Sequence, residues 1–323
     1  MPKLINWFKN HGLAFFTLLL LAFIPLYPKL PLFDIKNTWV YVRVEDFVVL
    51  FTLLFWGILV ILHKLSLKTP LTLPILLFWA IGLIATLHGL LLVFPDLPNV
   101  FPNVAFLSFL RRLEYMSLFF VAYEAERDRR FFPFFIATLT LTILATVVYG
   151  IGQKYLGLPA FLTMNEEFAK GFPIRLSPLS RVTATFGGHY DLAAYLVLTI
   201  PILISLVFGY RQWSVRFWLI VTSILGLIVL FMTVSRISFF ALFVALGLVL
   251  FFHQKKLVVF SLPFVALGIV LFLSFSPNLL ARFGSTIKEI NVLVDAKTGH
   301  PIGHVKEVPN VYFADKIVKQ QFS

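Results

Sequence analysis

The sequence predicts an all-α, polytopic membrane helix bundle with about nine transmembrane helices. Of its 323 residues, 59% are hydrophobic and 13% are charged, whereas soluble domains average about 45–50% apolar and about 25% charged residues. The apolar residues form runs close to the roughly 20 residues that a membrane-spanning helix needs. These observations exclude a soluble enzyme and a disordered chain. The absence of cysteine excludes disulfides, thiolate metal sites and a cysteine nucleophile.

Nine apolar segments are predicted to cross the membrane and to form one bundle over residues 1–275. They are Gly12–Tyr27, Phe47–Leu62, Leu71–Val93, Val104–Tyr123, Phe131–Ile151, Asp191–Gly209, Phe217–Met232, Ile237–His253 and Leu257–Phe275. Lys3 and Lys9 precede the first segment, as the basic region of a signal peptide would. No small-residue cleavage site follows that segment, so an uncleaved helix is favoured.

The distribution of basic residues predicts the orientation of these helices, because cytoplasmic loops are enriched in Lys and Arg. With the N-terminus inside, five short inner segments carry eleven basic residues, and the outer loop Phe94–Asn103 carries none. The eleven are Lys3, Lys9, Lys64, Lys68, Arg127, Arg129, Arg130, Arg211, Arg216, Lys255 and Lys256. The sequence therefore predicts an N-inside protein of the inner membrane, with an extracytoplasmic tail at residues 276–323.

The net charge of +12 includes basic residues that topology does not explain. In a soluble protein this excess would suggest nucleic acid. In a membrane protein an anionic substrate is the favoured explanation, and no nucleic acid is expected. The remaining basic residues lie outside or within apolar runs, against the positive-inside rule, so the arginines among them are the first candidates for a site.

Arg236 lies within the long apolar stretch Phe217–His253. One span cannot use that length, so it predicts two helices with a turn marked by Thr233, Val234, Ser235, Arg236 and Ser238. Each arm would have only about 16 residues, or about 24 Å, which would hold Arg236 at or slightly below the outer surface. An arginine there is costly without an anionic partner. It is therefore either a snorkelling turn residue or a phosphate ligand that faces the bundle interior.

Three charged residues interrupt the fourth predicted span: Arg111, Arg112 and Glu114. Arg111 and Glu114 are three residues apart, so they share a helix face and are expected to pair. A lone charge at bilayer depth costs at least about 2.5–3.5 kcal/mol, and this pairing leaves Arg112 unmatched. The group is either an internal ion pair that fixes helix packing or the wall of a polar cavity into which Arg112 points.

The outer loop 153–190 contains the densest set of polar residues. Arg181 lies near its end, and Gly187–Gly188 allows a tight turn before the sixth span. Hydrogen-bonding side chains beside Arg181 are those of Thr183, Thr185, His189 and Tyr190. Asp191 is expected to cap the following helix, whose N-terminus is a natural anion site. The arrangement suits a pyrophosphate, and the alternative is a capped helix with a polar approach loop.

A similar segment, Asn37–Phe47, precedes the second span. Arg43, Glu45 and Asp46 lie at the outer start of that span, and Asp46 is expected to cap its helix. A structural cap is favoured over a site here, although Arg43 stays a candidate ligand for an anion.

These segments together resemble the O-antigen ligase and O-antigen polymerase family. The matching segments are Val42–Phe47, Phe109–Tyr115, Arg181–Gly187 with Leu192–Tyr195, and Thr233–Arg236. The resemblance extends over about residues 22–283. It implies a membrane glycosyltransferase that needs no metal or other cofactor. Such an enzyme transfers or polymerises a glycan from an undecaprenyl pyrophosphate-linked donor to a glycan, lipid or protein acceptor, at the outer face of the lipid bilayer.

The resemblance also implies roles for individual residues. Arg181 and Arg236 would hold the pyrophosphate and stabilise the charge that develops as it leaves. His189 is a third catalytic candidate, as a base or a phosphate ligand, because of its place beside Arg181 and not because of the resemblance. The substrate-binding candidates are Arg43, Arg111, Arg112, Thr185 and Tyr190.

Two departures from the family leave alternatives open. After Phe186 the sequence reads Gly-Gly-His-Tyr-Asp, which differs from the family in detail. The family's proposed catalytic histidine lies in a later region, and His300 and His304 do not match it, so they are interpreted as solvated loop histidines. The tail is expected to be a truncated outer loop that ends in a short interfacial helix, Val311–Phe322. The alternatives to a transferase are a transporter or flippase for an anionic lipid-linked substrate, and an inactive truncated family member.

Overall fold

The computed structural model describes residues 2–38, 40–62, 65, 67–96, 100–177 and 180–253. The chain divides into two units between Val249 and Leu250, and the description below concerns the first unit and the last residues of α9. The helices are α1 (Pro2–Leu26), α2 (Val44–Ile61), α3 (Thr72–His88), α4 (Pro102–Glu126), α5 (Phe132–Tyr155), α6 (Glu166–Ala169), α7 (His189–Gly209), α8 (Trp213–Thr233) and α9 (Arg236–His253).

Six helical segments of the described chain are long and apolar enough to cross a membrane, as a multi-pass membrane protein requires. They are Val44–Ile61, Thr72–Val93, Arg129–Tyr155, His189–Gly209, Trp213–Thr233 and Arg236–His253. Short π and 3₁₀ turns extend α3 and α5 to these bounds. The helix α4 has 25 residues, but Arg111, Arg112 and Glu114 lower its hydropathy, so it is not one of the six.

The first eight predicted segments all coincide with helices. The ninth segment, Leu257–Phe275, lies outside the described residues. So do the tail 276–323, His300, His304 and the predicted interfacial helix Val311–Phe322. The count of nine spans and the sides of the membrane on which the termini lie therefore stay predictions.

The break inside Phe217–His253 is confirmed, but the predicted length of its first arm is wrong. The helix α8 ends at Thr233, and Val234 adopts a left-handed conformation with φ of 55° before α9 begins at Arg236. The arm has 21 residues rather than 16, because the helix begins at Trp213. Amphipathic side chains such as Trp213 and Arg216 are compatible with a helix end at a membrane surface.

The core of the bundle lies where α1, α5, α7 and α8 pack together. Leu192, Leu196 and Ile200 of α7 are fully buried. The helix α8 approaches them at Gly226, where a Cβ atom would lie 3.3 Å from the Ile200 side chain. Small residues allow this close approach between membrane helices, so Gly226 helps to set the spacing of α7 and α8.

One end of the bundle carries every candidate residue in the described chain, and we call it the site end. Here α1, α5 and α8 finish, and α2, α4, α7 and α9 begin. Three contacts join these elements: the Val182 amide donates to the Met232 carbonyl at 3.1 Å, the Thr185 hydroxyl donates to the Pro25 carbonyl, and the Asn103 amide donates to the Lys36 carbonyl at 2.9 Å. The opposite end includes His11, whose Nδ1 lies 4.0 Å from the Asp128 carboxylate.

Two irregular segments complete the site end. The first is a two-stranded antiparallel ribbon of β1 (Phe33–Asp34) and β2 (Tyr41–Val42), in which Phe33 pairs with Val42. The second is the connection from α5 to α7, which contains α6. The two segments meet at Gly171, where φ is 81° and an added Cβ would lie 2.5 Å from Pro31 Cδ. Only glycine fits this contact without strain.

Candidate functional site

The segment Arg181–Thr185 is fixed by Gln153, the third residue from the end of α5. The Gln153 side chain is fully buried. Its oxygen accepts from the Ala184 amide at 2.8 Å, and its Nε2 donates to the Ala184 carbonyl at 2.8 Å and to the Pro159 carbonyl at 3.0 Å. Ala184 has a φ of 49°, which costs roughly 1–2 kcal/mol for a residue with a Cβ atom. The Gln153 amide thus offsets an unfavourable backbone conformation beside Arg181.

The neighbours of Ala184 are attached to two other helices. Val182 donates its amide to the carbonyl of Met232 in α8, and Thr185 donates its hydroxyl to the carbonyl of Pro25 in α1. Together with the bonds between Ala184 and Gln153 of α5, these contacts attach the segment to the ends of three helices: α8, α5 and α1. The position of Arg181 follows from these attachments.

The side chains of Arg181 and His189, two residues that the sequence predicts to lie in the site, contact each other. Arg181 Nη1 lies 2.7 Å from His189 Nε2. Because arginine can only donate, Nε2 of His189 accepts this hydrogen bond, and the proton of the neutral imidazole is on Nδ1. His189 is buried, and its ring lies 4.0 Å from that of Tyr190. Tyr190 itself is 58% exposed, so its ring borders the site from outside.

The prediction that Asp191 caps α7 is wrong. The helix begins two residues earlier, with Gly188 as its N-cap residue, and no side chain makes a capping hydrogen bond there. Asp191 is therefore exposed in the first turn, where a carboxylate still interacts favourably with the helix dipole. The early start leaves the amides of the first turn of α7 open beside His189, because the first four amides of a helix have no partner within it.

Arg236 begins α9, two residues after the left-handed Val234. Val182, the residue after Arg181, is hydrogen-bonded to Met232 near the end of α8. Met232 is four residues before Arg236. The turn is stabilised by the contact of 2.7 Å between the hydroxyls of Ser235 and Ser238. Arg181 and Arg236, far apart in sequence, therefore come from adjoining segments: Arg181 lies in the connection before α7, and Arg236 begins α9.

Two buried hydroxyls in this region have no hydrogen-bond partner among the described residues: Thr183 Oγ1 and Tyr195 Oη. Thr183 is next but one to Arg181, and the Tyr195 ring packs on Phe186 at 5.1 Å. A buried polar group without a partner is costly, so these hydroxyls are candidates to bind a ligand. Sequence patterns could mark both as polar, but their lack of partners is visible only in the fold.

The second group of candidates forms a network of ion pairs between α1, α2 and α4. Glu45 pairs with Lys29, and with Arg43 at 3.2 Å. Burial lowers the pKa of the Lys29 ammonium below its ordinary value, and the Glu45 carboxylate opposes that shift. Three charged side chains thus lie close together at the start of α2, where each of the two cations has a carboxylate partner.

Asp46 links this network to α4. It accepts a hydrogen bond from the Arg43 amide at 2.8 Å, which confirms that it caps α2. It also pairs with Arg111 at 2.6 Å, and Arg111 pairs with Glu114 at 3.6 Å. The predicted pairing of Arg111 with Glu114 is therefore confirmed, and the shorter contact to Asp46 fixes α4 against α2.

Arg112 is exposed and forms no ion pair with any described residue. It lines a cavity of about 880 Å³ between α2, α4 and the β1–β2 ribbon. Other walls of this cavity are Tyr41, Leu50, Leu107 and Ser108. Of the two predicted alternatives, the structure contains the packing ion pair, which Arg111 forms. Arg112 does line a cavity, but the wall of that cavity is mainly apolar and not polar as predicted.

The structure therefore separates the predicted residues into two sets at the site end. Contacts connect Arg181, His189, Tyr190 and, through the Val182–Met232 bond, Arg236. Other contacts connect Arg43 and Arg111 through Asp46. Thr185 lies between the sets, with its hydroxyl bonded to α1. Within the described residues, no cluster of three His, Asp or Glu side chains is placed to hold a metal ion.

We expect Thr185→Val to lower the free energy of unfolding by about 1 kcal/mol, because it removes one intramolecular hydrogen bond. Thr185→Ser should keep the hydroxyl and the wild-type stability. Thermal unfolding of both purified variants in detergent measures the difference. Wild-type stability in Thr185→Val, together with weaker binding of undecaprenyl pyrophosphate, would instead assign the hydroxyl to the substrate.

The fold and the site define a helical, multi-pass membrane protein with a cationic, polar site at one end of its bundle. No protein-family model matches the chain, and no curated protein or solved structure is significantly similar to it.

Proposed function

We propose that the protein is a membrane glycosyltransferase that transfers or polymerises a glycan from undecaprenyl pyrophosphate at the outer face of the inner membrane, with its N-terminus inside. The observation that carries the proposal is the contact of 2.7 Å between Arg181 and His189 at the start of α7, next to the turn that leads to Arg236. The resemblance of these segments to O-antigen ligases and polymerases supports it.

The chemistry of this site suits a pyrophosphate. Two guanidinium groups provide planar sets of donors that match phosphate oxygens. The open amides and the positive dipole end of α7 favour an anion at the same place. In the transfer step, an acceptor hydroxyl forms a bond to the anomeric carbon and releases its proton to water. The bond from that carbon to the pyrophosphate oxygen breaks, and its electron pair stays on that oxygen. Arg181 and Arg236 stabilise the negative charge that develops on the departing pyrophosphate.

The tautomer of His189 favours a role as a ligand over a role as the base. Its Nε2 accepts from Arg181, so no lone pair is free to take the proton of the acceptor hydroxyl while this contact persists. Its Nδ1 carries a proton that can be donated to a phosphate oxygen. His189 thus aligns Arg181 and adds one donor to the same anion.

The proposal is tested with the full chain in liposomes. Undecaprenyl pyrophosphate without a sugar should raise the unfolding temperature of the protein, whichever glycan the enzyme uses. With oligosaccharide-loaded undecaprenyl pyrophosphate and a glycan or lipid A-core acceptor, mass spectrometry should detect the elongated acceptor. Movement of the donor across the liposome membrane without any product would identify a transporter. Neither binding nor product would contradict the proposal and favour an inactive protein.

A further inference from the structure

The cavity between α2, α4 and the ribbon is separate from the site around Arg181. Its described lining comes from residues 35–53 and 104–117, and it includes no residue of α5, α7, α8 or the connection between α5 and α7. Its volume of about 880 Å³ is within the range of about 300–1,000 Å³ that is typical of small-molecule sites. The proposed pyrophosphate site therefore does not account for this cavity.

The charged side chains in the cavity wall are unevenly paired. The wall contains Arg111 and Arg112 and the carboxylates of Asp46 and Glu114. Both carboxylates pair with Arg111, so Arg112 has no ion-pair partner among the described residues. A ligand with a negatively charged group would provide that partner.

Much of the remaining wall is apolar. Leu50, Leu53, Leu107 and Leu110 line the cavity, and their side chains belong to helices α2 and α4. An acyl chain along these leucines would fill the apolar part of the cavity and gain van der Waals contacts with them. A free inorganic anion would use Arg112 alone and leave these walls unused.

The level of Arg112 in the bundle suits a lipid headgroup. Arg111, its neighbour in sequence, pairs with Asp46 at 2.6 Å, and Asp46 lies in the first turn of α2. This part of α4 is therefore level with the beginning of α2, one of the six apolar helices. The ends of such helices lie near the headgroup region of a bilayer, where an arginine can hold its guanidinium among the lipid phosphates while its stem contacts apolar surface.

We propose that this cavity binds an anionic phospholipid, with its phosphate paired to Arg112 and one acyl chain against the leucines of α2 and α4. This inference does not rest on the proposed glycan transfer, because the two sites share no lining residue. The lipid would fill the space between α2, α4 and the ribbon and would provide an ion-pair partner for Arg112.

The test is native mass spectrometry of the full chain, released from detergent with either phosphatidylglycerol or phosphatidylcholine. We expect one tightly retained phosphatidylglycerol molecule in the wild type and at least a tenfold weaker apparent affinity in Arg112→Gln. Arg211→Gln, which removes an exposed arginine between α7 and α8, should retain the lipid. Arg181→Ala should also retain it, even if that variant loses all transferase activity.

Three results would overturn the inference. Equal retention of phosphatidylglycerol by the wild type and Arg112→Gln would show that Arg112 is not its ligand. Equal retention of phosphatidylcholine would show that net negative charge is not recognised. Full displacement of the lipid by inorganic phosphate at equimolar concentration would show that the apolar walls do not contribute. A thermal unfolding curve for Arg112→Gln ensures that a misfolded variant is not mistaken for one that has lost its site.

Discussion

Arg181→Ala is expected to lower kcat for glycan transfer by about 10²–10³-fold, the loss typical when one donor to a developing negative charge is removed. The substitution removes the guanidinium and with it the contact of 2.7 Å to His189. The effect should appear mainly in kcat, because the charge on the pyrophosphate oxygen grows as the bond to the sugar breaks. Initial rates measured over a range of donor concentrations separate kcat from KM.

Two control variants test whether the loss of rate is specific to the guanidinium of Arg181. Arg175→Ala removes an exposed arginine from the same connection between α5 and α7 and should leave the rate unchanged. Arg181→Lys keeps the charge but loses the planar fork of donors, so it should recover only part of the rate. An Arg181→Ala protein with the unfolding temperature and the transfer rate of the wild type would exclude Arg181 from the reaction.

Gln153→Leu is expected to lower the free energy of unfolding by at least about 3 kcal/mol. It leaves the buried amide and carbonyl of Ala184 without their side-chain partner, and each such group costs about 1–3 kcal/mol. It also removes the support for the left-handed conformation of Ala184. Chemical or thermal unfolding in detergent measures the loss, and transfer activity should fall with it, because Arg181 is attached to the same segment.

Gln153→Glu separates the two halves of this interaction. The carboxylate can still accept from the Ala184 amide, but it cannot donate to the carbonyls of Ala184 and Pro159. If Gln153→Leu unfolds at the wild-type temperature, the side chain does not support the segment. If Gln153→Glu is as stable as the wild type, the two donated bonds contribute nothing.

The positions of the helices could be predicted because apolar length alone specifies a membrane span. Eight predicted segments coincide with helices, and the break before Arg236 was marked by polar residues in an otherwise apolar run. Helix ends were less predictable. Asp191 has the right side chain for a cap, but Gly188, in an extended conformation, is the N-cap residue and the helix begins at His189, two residues earlier than the polar pattern suggests.

Contacts between distant segments could not be read from the sequence. Local spacing predicted the pair of Arg111 and Glu114, whereas the shorter contact of Arg111 is to Asp46, 65 residues away in the chain. In the sequence, nothing distinguishes Gln153 from an ordinary polar residue at the edge of a span. Its role depends on Ala184, which lies 31 residues later, and no periodic pattern connects the two.

Residues 182–185 are attached to α1, α5 and α8, so the geometry near Arg181 depends on how these three helices pack. Three separate anchor points define the position of a rigid segment, so a shift of any one helix relative to the others displaces it. The tight packing of α7 on α8 at Gly226 therefore affects the positions of Arg181 and Arg236, although Gly226 lies about two turns from the end of α8. A substitution among the apolar helices, far from Arg181, can in this way alter the arrangement of polar groups at the site end.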